Sequence, residues 1–158
     1  MFITQITVYL ENARGTLRAL TKVLAENGID MLALSVADTA SFGLVRIVVR
    51  EGDFDRAFSC LQENGFMARL NHVFCIAVPH HPAGLDGVLK IIGDNDISIE
   101  YMYSFNYNIE GAALMIMRLS KDRGAKGHEA RQKDREQIAG ILSENGVEMI
   151  SQEIVNKL

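Results

Sequence analysis

From Phe2 to Leu10 the chain reads Phe-Ile-Thr-Gln-Ile-Thr-Val-Tyr-Leu, a run rich in β-branched and aromatic residues that predicts a strand. The spacing then changes. Between Gly15 and Asn27, Leu17, Leu20, Val23 and Leu24 recur at helical intervals with Arg18, Lys22 and Glu26 opposite, which predicts a helix. Strands are expected over Ile29 to Thr39 and Leu44 to Val49, with Gly43 turning the chain between them. Asp53 is placed to cap a second helix bearing Phe54, Ala57, Phe58 and Leu61, and Phe66 to Leu70 reads as a fourth strand. The order is β-α-β-β-α-β.

The same order recurs. Glu26-Asn27-Gly28, Glu63-Asn64-Gly65, Glu144-Asn145-Gly146 and the near copy Asp94-Asn95-Asp96 each close an amphipathic stretch, and Gly, Asn and Asp tolerate the left-handed backbone that ends a helix. Gly28 and Asp96 stand 68 positions apart and Gly65 and Gly146 stand 81 apart, so the second copy carries 13 extra residues. Read at a shift of 68, the copies run without a gap as far as Arg50 and Arg118, with Gly43 matching Gly111. The fold class expected is α+β: two ferredoxin-like βαββαβ units with antiparallel four-stranded sheets, packed side by side. Residues 1–70 form the first domain and 71–158 the second, with a basic loop inserted at about 120–134. Lys121 to Arg135 hold six Lys or Arg against three acids and no apolar side chain larger than alanine, which predicts a mobile solvated loop; docking of an acidic partner is the sharper alternative.

Composition narrows function by exclusion. A formal charge of −4 argues against a nucleic-acid surface, and no apolar run reaches the roughly 18 to 20 residues of a membrane span. The N-terminal residues lack the pattern of a secretory signal, so a cytoplasmic protein is expected, with Cys60 and Cys75 reduced and packed in the interior. His80 and His81 are adjacent in an extended segment and point opposite ways, so no metal site and no cofactor is expected. No Ser-His-Asp, Cys-His or paired-carboxylate set stands at meaningful spacing, so an enzyme is not expected.

Arg14-Gly15-Thr16-Leu17 through Gly28-Ile29-Asp30-Met31 resembles the first half of an ACT domain, in which a Pro-Gly-x-Leu-like helix start leads to a helix ending in Asn/Gly-Ile. Pro82-Ala83-Gly84-Leu85 through Asp96-Ile97-Ser98-Ile99 resembles it again. Two departures stand out: Arg14 occupies the usual proline position, and Ala83 stands where the family has its glycine. The resemblance implies a stand-alone tandem ACT protein, a regulatory sensor that binds a free amino acid at the seam between its domains, forms a homodimer and acts on a partner enzyme or regulator.

The resemblance places ligand-binding residues at Asn12, Ala13, Arg14, Gly15, Thr16, Leu17, Ile29, Asp30 and Met31 in the first copy. In the second it places them at His80, His81, Ala83, Gly84, Leu85, Ile97, Ser98 and Ile99. N–H groups at the helix start suit a carboxylate, while Asn12 and Asp30 offer acceptors to an ammonium. Tyr101, Tyr103, Phe105 and Tyr107 alternate along one strand and match the smaller Ala33, Ser35, Ala37 and Thr39 of the first copy, which predicts complementary surfaces at an interface between copies or chains. Two other classes compete. A ligand-free interaction module would use only sheets and edges, and a small acylphosphatase-like enzyme would use Arg14 but lacks the glycine-rich phosphate cradle.

Overall fold

The computed structural model describes residues 2–38, 42–109, 111–124 and 126–157; Thr39 and Ala125 lie outside the described residues. The chain forms two compact units. The N-terminal unit is Thr4–His72 with the C-terminal residues from Val155, and the C-terminal unit is Val73–Ile154 with the N-terminal residues through Ile3.

In the N-terminal unit β1 (Ile3–Glu11), α1 (Thr16–Glu26), β2 (Ala33–Asp38), β3 (Phe42–Val48), α2 (Phe54–Glu63) and the first half of β4 (Met67–Pro79) follow in order, and the strands lie β2-β3-β1-β4. Ile6, Val8 and Leu10 on β1 and Val45 and Ile47 on β3 alternate onto one face. There they meet Leu20 and Leu24 of α1 and Ala57, Cys60 and Leu61 of α2. On the other face Gln5 Nε2 donates to Thr7 Oγ1, which donates to Asn71 Oδ1, each at 2.9 Å.

In the C-terminal unit the second half of β4 is followed by α3 (Gly84–Asp94), β5 (Ser98–Ile109), β6 (Ala112–Ser120) and α4 (His128–Glu144), with the short α5 (Gln152–Val155) at the end. The strands lie β4-β6-β5. The position of a fourth strand is held by residues 147–150 through one antiparallel bridge, Ile76 to Met149, with Ala77 N–H bonded to Glu148 O and Ile150 N–H to Cys75 O. Among the described residues this single bridge stands in place of a full fourth strand.

Core positions repeat at the shift read from the sequence. Ile6, Val8, Leu10, Leu20, Leu24 and Ile29 are buried in one unit, and Phe74, Ile76, Val78, Val88, Ile92 and Ile97 are buried in the other. All four helix ends share one geometry. Asn27, Asn64, Asn95 and Asn145 each donate from Nδ2 to the carbonyl four residues back at 2.8 Å, and the next residue takes a positive φ. The residue after that closes the turn with an N–H bond of 2.9–3.0 Å.

Three expectations are corrected. First, the copies do not run gap-free to Arg118. Ile6 pairs with Ile47 whereas Phe74 pairs with Met117, so β6 stands at a shift of 70, and the β5–β6 register slips between Ser104 and Asn108. Gly43 consequently lies inside β3, level with Leu10 on one side and Asp38 on the other, while Gly111 is the turn glycine with φ 76°. Second, the last strand of copy one and the first of copy two are one strand, because no glycine or proline interrupts the chain from Phe66 to Val78. Third, the basic insertion is partly helical: α4 begins at His128, where Glu129, Ala130, Arg131, Gln132 and Lys133 are good helix formers. Asp134 fastens this helix by accepting the N–H groups of Lys121 and Asp122.

Candidate functional site

Both helix entrances fold alike. Ala13 N–H bonds to Glu11 O at 2.8 Å and His81 N–H to Pro79 O at 2.9 Å, and Ala19 N–H to Gly15 O matches Gly87 N–H to Ala83 O, both at 2.9 Å. The N–H groups of the second and third helical residues, Leu17 and Arg18 or Leu85 and Asp86, are left without intrahelical acceptors. Gly15 caps α1 with φ 88°, and Ala83 caps α3 in the same left-handed region at φ 68°. Ala83 therefore does the conformational work of the family glycine despite its Cβ. Replacing it with glycine should raise stability by about 1 kcal/mol, measured as a higher urea midpoint at unchanged m.

Gly84 answers a different demand. A Cβ there would lie 2.0 Å from the Pro79 carbonyl oxygen, so only glycine lets the start of α3 approach the end of β4 this closely. In the other copy the matching Thr16 uses its hydroxyl to bond Glu11 O at 3.0 Å and Ala13 O at 2.9 Å.

The close approach opens onto a cavity of about 490 Å³ within the C-terminal unit. Its walls are His81, Ala83 and Gly84 at the helix entrance, Gly111 at the β5–β6 turn, the Asn145–Glu148 segment, and Val88 and Ile91 of α3. His81 Nδ1 lies 2.7 Å from Pro82 O and so donates to it, which leaves Nε2 as the nitrogen available to a ligand. Gly111 and Asn145 to Glu148 were not among the sequence-predicted site residues; nothing local marks them, since the Asn-Gly pair reads only as a helix end.

The other predicted residues fall into separate places. Asn12, Ala13, Arg14, Gly15 and Leu17 are exposed around the α1 entrance, with Thr16 half-buried; His80 and Leu85 are exposed, the latter matching Leu17. Ile29 and Ile97 belong to the two cores, with Met31 and Ile99 packed against them, and Ser98 opens β5 half-buried. Asp30 does not join Asn12. Leu10 is level with Asp38 across β3, and Asp30 lies beyond Ala33 at the far end of β2, a separation of about 16 Å or more at roughly 3.3 Å per residue. Its carboxylate instead faces Arg50 at 3.5 Å.

Phe105 is buried and stands 6.4 Å from the ring of the exposed Tyr107, while Tyr101 and Tyr103 are half-buried. Burial pushes the Cys75 thiol up to about 12, and Cys60 is also raised, by burial and then by Glu63; Cys60 Sγ lies 3.3 Å from Ala57 O. Both thiols are packing groups. Among the described residues no three His, Cys, Asp or Glu side chains gather as a metal site, and no helix is long and apolar enough to cross a membrane.

The duplicated helix entrance has a counterpart among known families: a model of the ACT domain pair matches residues 1–154. The chain belongs to the ACT domain pair family. Its members are regulatory, small-molecule-binding units. Among solved structures, protein BT0572 from Bacteroides thetaiotaomicron is 30% identical with a TM-score of 0.82, over 100% of this chain and 98% of that one. The regulatory subunit of aspartate kinase from Thermus thermophilus, in its ligand-free form, is 16% identical with a TM-score of 0.53, over 85% of this chain and 91% of that one. The corresponding subunit from Thermus flavus is 14% identical with a TM-score of 0.54, over 72% and 80%. The two aspartate kinase subunits share the fold with this chain. No curated protein matches it.

Proposed function

We propose that this ACT domain pair is a regulatory sensor for a free amino acid and carries no catalysis of its own. The observation that supports this reading is the 490 Å³ cavity at the α3 entrance, where the first turn of α3 at Gly84 and Gly87 meets Asn145 and Glu148 and the apolar Val88 and Ile91. The ligand carboxylate is drawn to the positive end of α3 beside Gly84, where first-turn N–H groups have no intrahelical acceptor. The ammonium pairs with Glu148 or with the Asn145 side-chain oxygen, and the side chain rests on Val88 and Ile91. The Asn12 loop offers a matching entrance in the other copy, open to solvent. That a chain of this fold is the regulatory subunit of aspartate kinase in Thermus thermophilus accords with a partner enzyme here. The ligand shifts its partner by binding one arrangement of the protein better than another, and by no more than that difference. Pairing with a second copy through the β5 edge and its tyrosines is part of the same reading.

A thermal-shift screen against the twenty amino acids, with Asn12→Ala and Glu148→Ala in parallel, tests it. At about 100 times its dissociation constant a ligand adds roughly 2.7 kcal/mol of stability. Loss of the shift in Glu148→Ala alone assigns the ligand to the cavity, and loss in Asn12→Ala alone assigns it to the other entrance. No shift with any amino acid overturns the proposal and leaves an interaction module.

A further inference from the structure

The C-terminal unit holds a second cavity, of about 200 Å³, beside β5, β6 and α4. Arg118, Arg123, Arg131 and Arg135 converge on it, and Leu119 is its one apolar lining residue among those described. The repeat shows that the fold does not require these arginines. By the register of β6, Arg118 stands where the first copy has Val48; by the shift of α4, Arg135 stands where it has Phe54. Arg123 and Arg131 come with the insertion that the first copy lacks.

The acids around the cavity already have partners. Glu100 faces Arg118 Nε at 3.5 Å, Asp134 accepts the N–H groups of Lys121 and Asp122 at 3.0–3.3 Å, and Asp122 Oδ1 accepts Gly124 N–H at 2.8 Å. Arg135 is different. Its side chain is only 9% exposed, and its Nε is buried with no hydrogen-bond partner. The guanidinium carbon lies over the Phe2 ring, 5.7 Å from its centre, a contact that offers the Nε–H no acceptor oxygen. Burial, and then the neighbouring charge of Arg118, push Arg135 below the usual arginine range; Asp134 and Glu136 oppose this and Arg131 adds to it. A buried guanidinium held beside another, with its Nε–H unfilled, is a state in which an incoming oxyanion gains much.

We propose that this cavity binds the phosphoryl group of a small molecule, at a site separate from the amino-acid cavity and independent of that reading. Paired guanidinium forks match phosphate oxygens two at a time, and a phosphoryl group brings the near-double negative charge that more than one arginine can share. The polar walls leave no seat for an apolar ligand side chain. Inorganic phosphate and a phosphate ester are the two sources of this chemistry.

The test uses the full chain in low-salt buffer. Sodium phosphate and adenosine 5′-monophosphate are titrated by calorimetry and thermal shift, with sodium chloride at matched ionic strength as control. The expected result is saturable binding absent with chloride, lost in Arg135→Met and at least tenfold weaker in Arg131→Ala, whose exposed side chain leaves folding unaffected. Tighter binding of the monophosphate identifies an ester as the ligand, and tighter binding of phosphate identifies the free ion. A response no greater than that to chloride, or one that survives unchanged in Arg131→Ala and Arg135→Met, overturns the proposal.

Discussion

Gly84→Ala should destabilise the protein by about 3 kcal/mol or more, although alanine is the better helix former by roughly 0.5–1 kcal/mol. The added Cβ would sit 2.0 Å from the Pro79 carbonyl oxygen and 3.0 Å from its carbon, and both are backbone atoms that no rotamer change can move. To relieve the overlap, the first turn of α3 must slide away from β4. That breaks the bond from Gly84 N–H to His81 O and widens the cavity mouth. The same chain supplies the control. Gly93, near the end of α3, has no heavy atom within 4 Å of its ideal Cβ, so Gly93→Ala should be neutral or stabilising. Urea unfolding of both variants decides the matter. A loss in Gly84→Ala no larger than 1 kcal/mol would mean that the loop yields easily and that the glycine answers no steric demand. Because Gly84 borders the cavity, any amino-acid response should weaken with it, whereas a response to phosphate should not.

What could be read from the sequence, and what could not, divides along physical lines. The four helix ends were legible because their code is local: an asparagine reaching back four residues, a left-handed residue and an apolar one that closes the turn all lie within three positions. The hairpin register was not legible, for an equally definite reason. Side chains alternate with period two along a strand, so the two residues absorbed between Ser104 and Asn108 leave the apolar pattern unchanged. The continuous β4 went unseen because a strand end is recognised by glycine or proline, and this one has neither before Pro79. Of the residues that line the candidate cavity, His81, Ala83 and Gly84 were accessible through the helix-start motif. Their neighbours Gly111 and Glu148 come from distant parts of the chain and carry no local mark. Asp30 illustrates the converse: a carboxylate at a motif position, matched by Arg50 at the end of the sheet away from the helix entrance.

Phe74→Ala should cost about 3–5 kcal/mol, the range for truncating a buried aromatic residue that its surroundings cannot fully replace. Phe74 is 1% exposed on the helix-covered face of β4, paired across the ladder with Met117, and it meets the ring of Phe2 edge-on at 5.2 Å and 80°. It occupies the place that Ile6 holds in the other unit, so the second core is built around a larger side chain and has more volume to lose. Against a total stability of about 5–15 kcal/mol, such a loss is a large fraction, and it falls on one unit. Because the two cores are distinct, urea unfolding of the variant should show the C-terminal unit melting first, as an early step by near-ultraviolet circular dichroism. Phe74→Leu, which keeps most of the volume, should lose less than half as much. The effect should also reach the arginine cavity, since Phe2 loses its aromatic neighbour and Arg135 rests on the Phe2 ring. Phosphate affinity should therefore fall in Phe74→Ala under conditions where the unit is still folded. A loss below about 1.5 kcal/mol would show that Phe2 collapses into the vacated space, and the coupling to Arg135 would then be lost with it.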